Sequence, residues 1–457
     1  MRRALLIVPW IHDFSAYDFW ACPLGLLSLG AVLRNAGWEV ELFDLTDRHH
    51  PRLPKPPRER RFHTGKYYAQ EIPKPAAIAW VPRRFKRYGL PPEIAEEELA
   101  SRRRPDVILM TSRMTYWYTG VRETVALCRK VFPGVPIALG GTYATLCSEH
   151  AQCHSGADLV FGGEAELAIR ELAQQLSTKA SARARLGAAS ACENLDTLPF
   201  PAWELMTSTS AAAVETSRGC PYRCTYCASG QLVPKWRAKS PQRVADEIEF
   251  LVRELGAEDI AFYDDALLLN HETHFEKIAE ELERRKVRAR YHAPNSLFAH
   301  MITPAVAEAL KRMGFETIRV SLETANHERL KQWNRRIGPH HFVTAMRNLL
   351  AVGFRREQIG VYILCAVPGQ TLQEVRDTID FVIEHGGEPR LAEFSPIPRT
   401  EEWQRAVSAT ELPIADEPLL QNNSIYWWAS GAITPEALAE LKQYARERLT
   451  QTAGSKT

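Results

Sequence analysis

The feature that most limits the fold is an alternation. Short apolar runs trade places with stretches of helical periodicity, in two series separated by Pro199-Phe200-Pro201. In the first series Ala4–Ile11, Glu39–Leu45, Val107–Met114, Pro136–Leu139 and Asp158–Phe161 read as strands. Leu24–Asn35, Val121–Phe132 and Glu166–Leu176 read as helices. Strands that alternate with helices pair in parallel through right-handed crossovers. The α/β pattern predicts an open, doubly wound, Rossmann-like sheet of about five strands, with ligands outside the carboxyl ends of its strands. Gly140-Gly141 and Gly162-Gly163 fall at that edge, where the lack of a Cβ lets a ligand approach the backbone.

The second series has strands at Ala212–Thr216, Asp259–Tyr263, Arg290–Ala293, Thr317–Leu322, Ile359–Ala366 and Leu391–Phe394. Helices are expected near Val244–Leu255, Phe275–Arg285, Pro304–Met313, Phe342–Val352 and Gln373–His385. Six such units make a partial (β/α)6 barrel, with chemistry at its carboxyl edge as in complete barrels. The expected layout is a Rossmann-like domain over 1–177 and a linker over 178–200. A partial barrel over 201–400 follows, then a mostly exposed helical extension over 401–457. Residues 48–104 interrupt the first domain with a Pro-, Arg- and Lys-rich insertion. It reads as a surface wrap with solvated arginines, or as a basic, aromatic arm that covers the site or meets an anionic partner.

A length of 457 residues suits two to four domains at about 100–200 residues each. With 45% hydrophobic and 25% charged residues the chain is not disordered, collagen-like or coiled-coil. A net charge of +2 gives no global attraction to nucleic acid or membrane. No apolar run approaches the ~20 residues needed to span a bilayer. Met1-Arg2-Arg3 leads into the short apolar run Ala4–Val8, which ends at Pro9 with no small-residue cleavage site after it and so reads as strand and not as a signal peptide. Nine cysteines, mostly scattered, suggest a reduced, cytoplasmic protein in which clustered thiolates stay free for metal.

The cluster is Cys220-Pro221-Tyr222-Arg223-Cys224-Thr225-Tyr226-Cys227, directly after the first strand of the second series. Structural zinc sites usually close with four protein ligands, and no fourth Cys or His lies nearby. Three thiolates on a cubane iron–sulfur cluster leave one iron open to substrate or cofactor. A zinc-stabilised nucleic-acid module using the 48–104 arm is the alternative from another class; it predicts colourless protein with salt-steep binding.

The C-x3-C-x2-C spacing, with an aromatic before the third Cys, resembles the radical S-adenosylmethionine (SAM) superfamily. The resemblance implies that Cys220, Cys224 and Cys227 hold a [4Fe-4S] cluster whose open iron binds the amino and carboxylate groups of SAM. An electron from a donor such as flavodoxin or ferredoxin then releases a 5′-deoxyadenosyl radical. Further motifs follow in family order. Phe262-Tyr263-Asp264-Asp265 ends the second strand, replacing the family's Gly-Gly-Glu motif, and Val320-Ser321-Leu322-Glu323 ends the fourth. Ala366-Val367-Pro368-Gly369-Gln370-Thr371 resembles the G-x-P-G-x-T loop, and Pro396-Ile397-Pro398-Arg399-Thr400 the P-x-P-G-T loop. Ala366 and Arg399 stand where glycine is usual. By resemblance Tyr226, Asp264, Asp265, Ser321 and Glu323 are candidate contacts to SAM. Arg335 and Arg336 are candidates for its carboxylate or for an exposed helix face, and His292 and Asn295 for orienting cofactor or substrate.

The first domain resembles that of the cobalamin-binding subgroup. The landmarks are Leu24-Gly25-Leu26, Pro105-Asp106-Val107, Ile137-Ala138-Leu139-Gly140-Gly141, Gly162-Gly163-Glu164-Ala165-Glu166 and Leu195-Asp196-Thr197-Leu198-Pro199-Phe200-Pro201. Thr111, Ser112, Gly140 and Gly141 are the candidate contacts to cobalamin. Asp47-Arg48-His49 lacks the glycine of the D-x-H-x-x-G signature, so a corrin here is expected without a lower His ligand. Arg113, Thr115, Tyr116, Trp117 and Tyr118 form either a ligand-facing loop or aromatic packing. The expected activity is radical-mediated methyl transfer to an unactivated carbon; cyclisation, rearrangement or oxidation without methyl transfer is the alternative.

Overall fold

The structure is a computed structural model and describes residues 1–55, 58–177, 190–429 and 433–454. Pro56 and Pro57 of the insertion, and 178–189 of the expected linker, lie outside the described residues. The chain divides into two compact units, Met1–Ala211 with Ile414–Leu420, and Ala212–Pro413 with Gln421–Thr457.

The first unit is built on five parallel strands, Arg3–Val8, Glu39–Asp44, Val107–Met110, Ile137–Leu139 and Leu159–Val160. In space they run second, first, third, fourth, fifth. The order reverses between the first and third strands, the kind of switch point where open α/β sheets bind ligands. Alternating apolar residues of the strands meet helices Leu24–Asn35 and Glu166–Ser177, burying Leu6, Val8, Leu26, Leu33, Val40 and Ile169 in one core.

The insertion departs from the simple surface wrap. Its strands Ala69–Glu71 and Lys86–Tyr88 form a three-stranded antiparallel sheet with Ile11–Asp13, just beyond the first strand. A helix, Pro92–Ser101, follows. Phe85, Tyr67 and Tyr88 are buried, Tyr67 and Tyr88 in a small cluster with Ile11 and Trp117, whereas Trp80 is exposed. Several of its arginines are engaged, while Arg58, Arg60, Arg61 and Arg84 are exposed, as the surface-wrap reading expects. Arg48 donates to Asp18 at 2.8 Å, Arg52 to Glu98 at 3.1 Å, and Arg87 pairs with Glu123. The sequence read these charges as solvated because their acidic partners lie far along the chain.

The second unit carries six strands in sequential order: Ala211–Val214, Asp259–Phe262, Arg290–Phe298, Phe315–Glu323, Ile359–Cys365 and Glu388–Glu393. The last four neighbour pairs are parallel, and the first and last strands do not pair, so the barrel stays open. The α/β expectation holds for both units. Helix starts follow from side-chain caps and prolines. Ser240 caps Pro241–Arg253 and Thr303 caps Pro304–Met313, each with Pro as the first helical residue. Thr371 and Glu374 form a reciprocal capping box on Leu372–Glu384.

The tail departs from the expectation of exposure. Leu419, Leu420, Ile425, Tyr426 and Leu441 are buried, and Tyr444 and Arg448 of the last helix bond to Asp380. Leu419, Leu420, Ile425 and Tyr426 lie in or beside short elements without helical spacing, whereas Leu438, Leu441 and Ala445 line one buried face of the last helix, Pro435–Gly454.

Candidate functional site

The cysteine loop leaves the short strand Ser217–Arg218, which pairs antiparallel with Arg237–Ala238. Gly219 turns the chain at φ +85°, where a Cβ would stand 2.9 Å from the Lys235 carbonyl oxygen. Two brackets hold the loop. At its entrance the buried Asp264 carboxylate accepts from the backbone N–H of Thr216 and Ser217 and from both hydroxyls, at 2.6–3.1 Å. Burial pushes Asp264 up to about 6 against the pull of these donors. The Thr216 hydroxyl also meets His274 Nε2 at 2.8 Å, and burial lowers that imidazole to about 4. At mid-loop, Thr225 N–H donates to Trp333 O at 3.2 Å and its hydroxyl donates to Glu402 at 2.9 Å. Glu402 N–H returns a bond to Thr225 O at 3.0 Å, and Asn334 Nδ2 donates to Arg223 O at 2.9 Å.

The cysteine residues run from buried Cys220 through half-buried Cys224 to exposed Cys227, though burial pushes the Cys227 thiol up. Each has its own polar neighbour. Cys220 bonds to the Tyr222 backbone, and burial pushes its thiol up to about 11. Arg335 Nη1 lies 3.6 Å from Cys224 Sγ, and Ser229 N–H donates to Cys227 Sγ at 3.5 Å. Among the described residues no three His, Cys, Asp or Glu side chains converge on a point where one ion would be held. A cubane does not require this, since each thiolate binds its own iron.

The other candidates separate into two groups. Glu323 ends its strand at φ +70°, buried, 3.5 Å from Arg335; burial raises its pKa against the attraction of the guanidinium. Tyr226 lies against Trp333 with its hydroxyl buried and without a hydrogen-bond partner. Asp265 is exposed and hydrogen-bonds to Ser229. Of these three, Tyr226 keeps an unpartnered hydroxyl among the described residues, Asp265 has Ser229 and Glu323 faces Arg335. Asp264 and Ser321 form the second group. Asp264 is committed to Thr216 and Ser217, and the buried Ser321 hydroxyl donates to Leu297 O at 3.2 Å. His292 also departs from expectation, because it is fully buried against Asp259 at 2.8 Å near the start of the strands. Asn295 donates to the Tyr263 carbonyl at 2.9 Å and so steadies the aspartate turn.

Ala366 and Arg399 answer the question of the missing glycines. Both stand at positive φ, +67° and +70°. The loops therefore keep the backbone a glycine would give, at a steric cost. With Glu323 they place non-glycine strain at the carboxyl side of the last three strands, where strained residues commonly mark functional sites.

In the first unit, Ser112 is buried; its hydroxyl donates to Gly140 O at 2.9 Å and accepts from Tyr143 N–H at 3.2 Å. Gly141 takes φ +89°, and a Cβ there would stand 2.3 Å from Ser112 O. Both brace the edge from within. Gly140 differs, because a Cβ there would meet nothing nearer than Phe161 O at 3.7 Å. Thr111 is half-buried beside it. Tyr116 and Tyr118 are buried and Trp117 donates to Asp13 at 2.7 Å, so the aromatic run is packing.

Sequence reasoning missed Thr216, Ser217, His274, Thr225 and Glu402 as the frame of the loop. A Thr-Ser pair just before the first cysteine was a local signal; Glu402 had none, lying 177 residues from its partner.

Comparison with known proteins agrees with this geometry. Residues 214–382 match the radical SAM superfamily model, and residues 90–173 match the B12 binding domain model. An uncharacterized methyltransferase of Pyrococcus horikoshii is 26% identical over 373 residues, 76% of each chain. A cytidylyl-2-hydroxyethylphosphonate methyltransferase of Streptomyces wedmorensis is 23% identical over 459 residues, 84% of this chain and 78% of the relative. The solved structure of the radical SAM methyltransferase TsrM from Kitasatospora setae, with cobalamin and a [4Fe-4S] cluster bound, has a similar fold. It superposes with a TM-score of 0.65 at 17% identity, over 90% of this chain and 76% of that one. The chain thus carries a radical SAM domain over residues 214–382 and a B12 binding domain over residues 90–173.

Proposed function

We propose that this protein is a cobalamin-dependent radical SAM methyltransferase acting on an unactivated carbon. The observation that carries the reading is the three-cysteine loop, braced from both sides, in a chain that also matches the B12 binding domain. The loop fits a cubane. Its three sulfurs lie near enough to influence one another, and each has a polar neighbour. The open face of Gly140 and the neighbouring Thr111 fit the approach of a large ring at the first sheet's carboxyl edge. When bound, the cofactors supply single-electron cleavage of a sulfonium and carriage of a methyl group.

The chain's own part is positioning. Cys220, Cys224 and Cys227 would hold the cluster, and Cys220 must give up a proton that burial makes it keep, so loading releases protons. Asp264 and Glu402 fix the loop backbone so that the sulfurs do not wander. Asp265, Glu323 and Tyr226 would receive the polar parts of SAM. Reduction comes from an external one-electron donor of the flavodoxin or ferredoxin kind. The test is product analysis after anaerobic incubation with reductant and SAM. S-adenosylhomocysteine together with 5′-deoxyadenosine is expected. 5′-Deoxyadenosine alone would replace methyl transfer with a cyclisation, rearrangement or oxidation, and neither product would end the radical reading.

A further inference from the structure

Residues 333–335 meet the cysteine loop one after another. Trp333 O accepts from Thr225 N–H, Asn334 Nδ2 donates to Arg223 O, and Arg335 Nη1 lies 3.6 Å from Cys224 Sγ. Asn334 stands at φ +51° between its two neighbours. Arg335 then turns inward. Its side chain is 5% exposed, its guanidinium sits 5.8 Å from the centre of the Phe298 ring, and its nearest carboxylate is Glu323 at 3.5 Å. Nε and Nη2 have no hydrogen-bond partner. A buried cation is costly unless it is both paired and hydrogen-bonded. Glu323 alone, beyond ordinary hydrogen-bond distance, leaves that requirement unmet. A deprotonated Cys224 bearing part of a cluster's negative charge would meet it.

The three sulfurs are therefore unequal. Cys220 and Cys227 have neutral hydrogen-bond donors and feel the Asp265 carboxylate, and among the described residues only Cys224 has a cation at its sulfur. We propose that Arg335 is a positioning residue that donates to the Cys224 thiolate and raises the reduction potential of the cluster, with Glu323 restraining the effect. The proposal rests on the reading that the three cysteines hold a [4Fe-4S] cluster. Its physical basis is charge. One-electron reduction by the external donor adds a negative charge to the cluster, and a nearby cation stabilises the reduced state more than the oxidised one. Hydrogen bonds to cluster sulfurs and net charge are recognised determinants of such potentials.

The test is a dye-mediated anaerobic reductive titration of the reconstituted full-length protein, followed by electron paramagnetic resonance. No substrate is needed. Arg335→Gln is expected to lower the midpoint potential by about 59 mV, a tenfold shift in a one-electron equilibrium. Arg335→Lys is expected to recover part of the loss, since it keeps the charge without the planar fork. Glu323→Gln is expected to move the potential upward. Opposite signs for the two sites support the proposal, because a merely structural role for both does not produce them. An unchanged potential in Arg335→Gln with a full cluster overturns it, as does a downward shift in Glu323→Gln. If Arg335→Gln takes up no cluster, the signs of the Arg335→Lys and Glu323→Gln shifts decide. If the unaltered protein takes up no cluster, the cluster reading itself fails, and that failure is seen before any variant is compared.

Discussion

The carboxyl edges of the two sheets are built on the same βα logic and treat their polar groups in opposite ways. At the first edge, Ser112 and Gly141 are consumed by internal contacts, and the insertion's small sheet grows from the strand Ile11–Asp13 beside them. Gly140 is left with an open face. At the second edge, Glu323, Ala366 and Arg399 accept positive φ, and Tyr226 and Arg335 keep buried polar atoms without hydrogen-bond partners. Unspent hydrogen-bonding capacity and strain are costs that a fold carries only where something else compensates them. The contrast supports the proposal that the first edge is a shaped platform and the second the place where reactive groups are held.

The sharpest way to break this contrast is Cys224→Ala. It is expected to abolish cluster absorbance and 5′-deoxyadenosine formation while leaving hydroxocobalamin binding intact; absorbance and product chromatography check both. Asp264→Asn strikes the frame instead of the ligands. It turns an acceptor-only group into a donor facing donors, and a loss of about 3 kcal/mol is expected in denaturant unfolding. Acid tests the same bracket. His274 is held neutral, with a folded pKa of about 4 against an ordinary 6.5, so the unfolded state binds more protons between those values. Its contribution to stability is complete above pH 6.5 and declines as the pH falls toward 4, by about 2 kcal/mol at pH 5. Asp264, raised from 3.8 to about 6, contributes with the opposite sign over the same range, so with His274→Gln the bracket's contribution is expected to rise rather than fall from pH 7 to pH 5, which unfolding curves would show.

On the first edge, Gly140→Ala is expected to leave the melting temperature unchanged and weaken hydroxocobalamin binding by about tenfold, or ~1.4 kcal/mol. Equal binding would remove Gly140 from the ligand face. The smallest effect is at Arg399. Arg399→Gly relieves a left-handed backbone at the cost of chain entropy, and a net gain of about 0.5–1 kcal/mol in thermal unfolding is expected. Ala366→Gly also loses a buried methyl group and is expected to be close to neutral.

Much of this was legible in the sequence because it is periodic or local. Helices Leu24–Asn35 and Pro304–Met313 appear with the bounds their periodicity and caps predict, and the strands shift by only a few residues. The cysteine loop was readable because its three cysteines are neighbours in the chain. What was not legible depends on distant partners. Nothing near Asp264 announced that two backbone N–H groups would claim it, and nothing near Ser321 pointed to the Leu297 carbonyl. Arg48 and Arg87 read as solvent-facing because Asp18 and Glu123 meet them only after folding. His292 ended a shorter expected strand; the strand continues to Phe298, which leaves the histidine in the interior beside Asp259.

The central claim is that three cysteines grip an iron–sulfur cubane and leave one corner for SAM. The most direct measurement is electron paramagnetic resonance of the anaerobically reconstituted, reduced protein before and after SAM is added. A [4Fe-4S] signal that changes shape with SAM is the predicted result. A cluster signal indifferent to SAM, or a protein that retains no iron, would contradict the account.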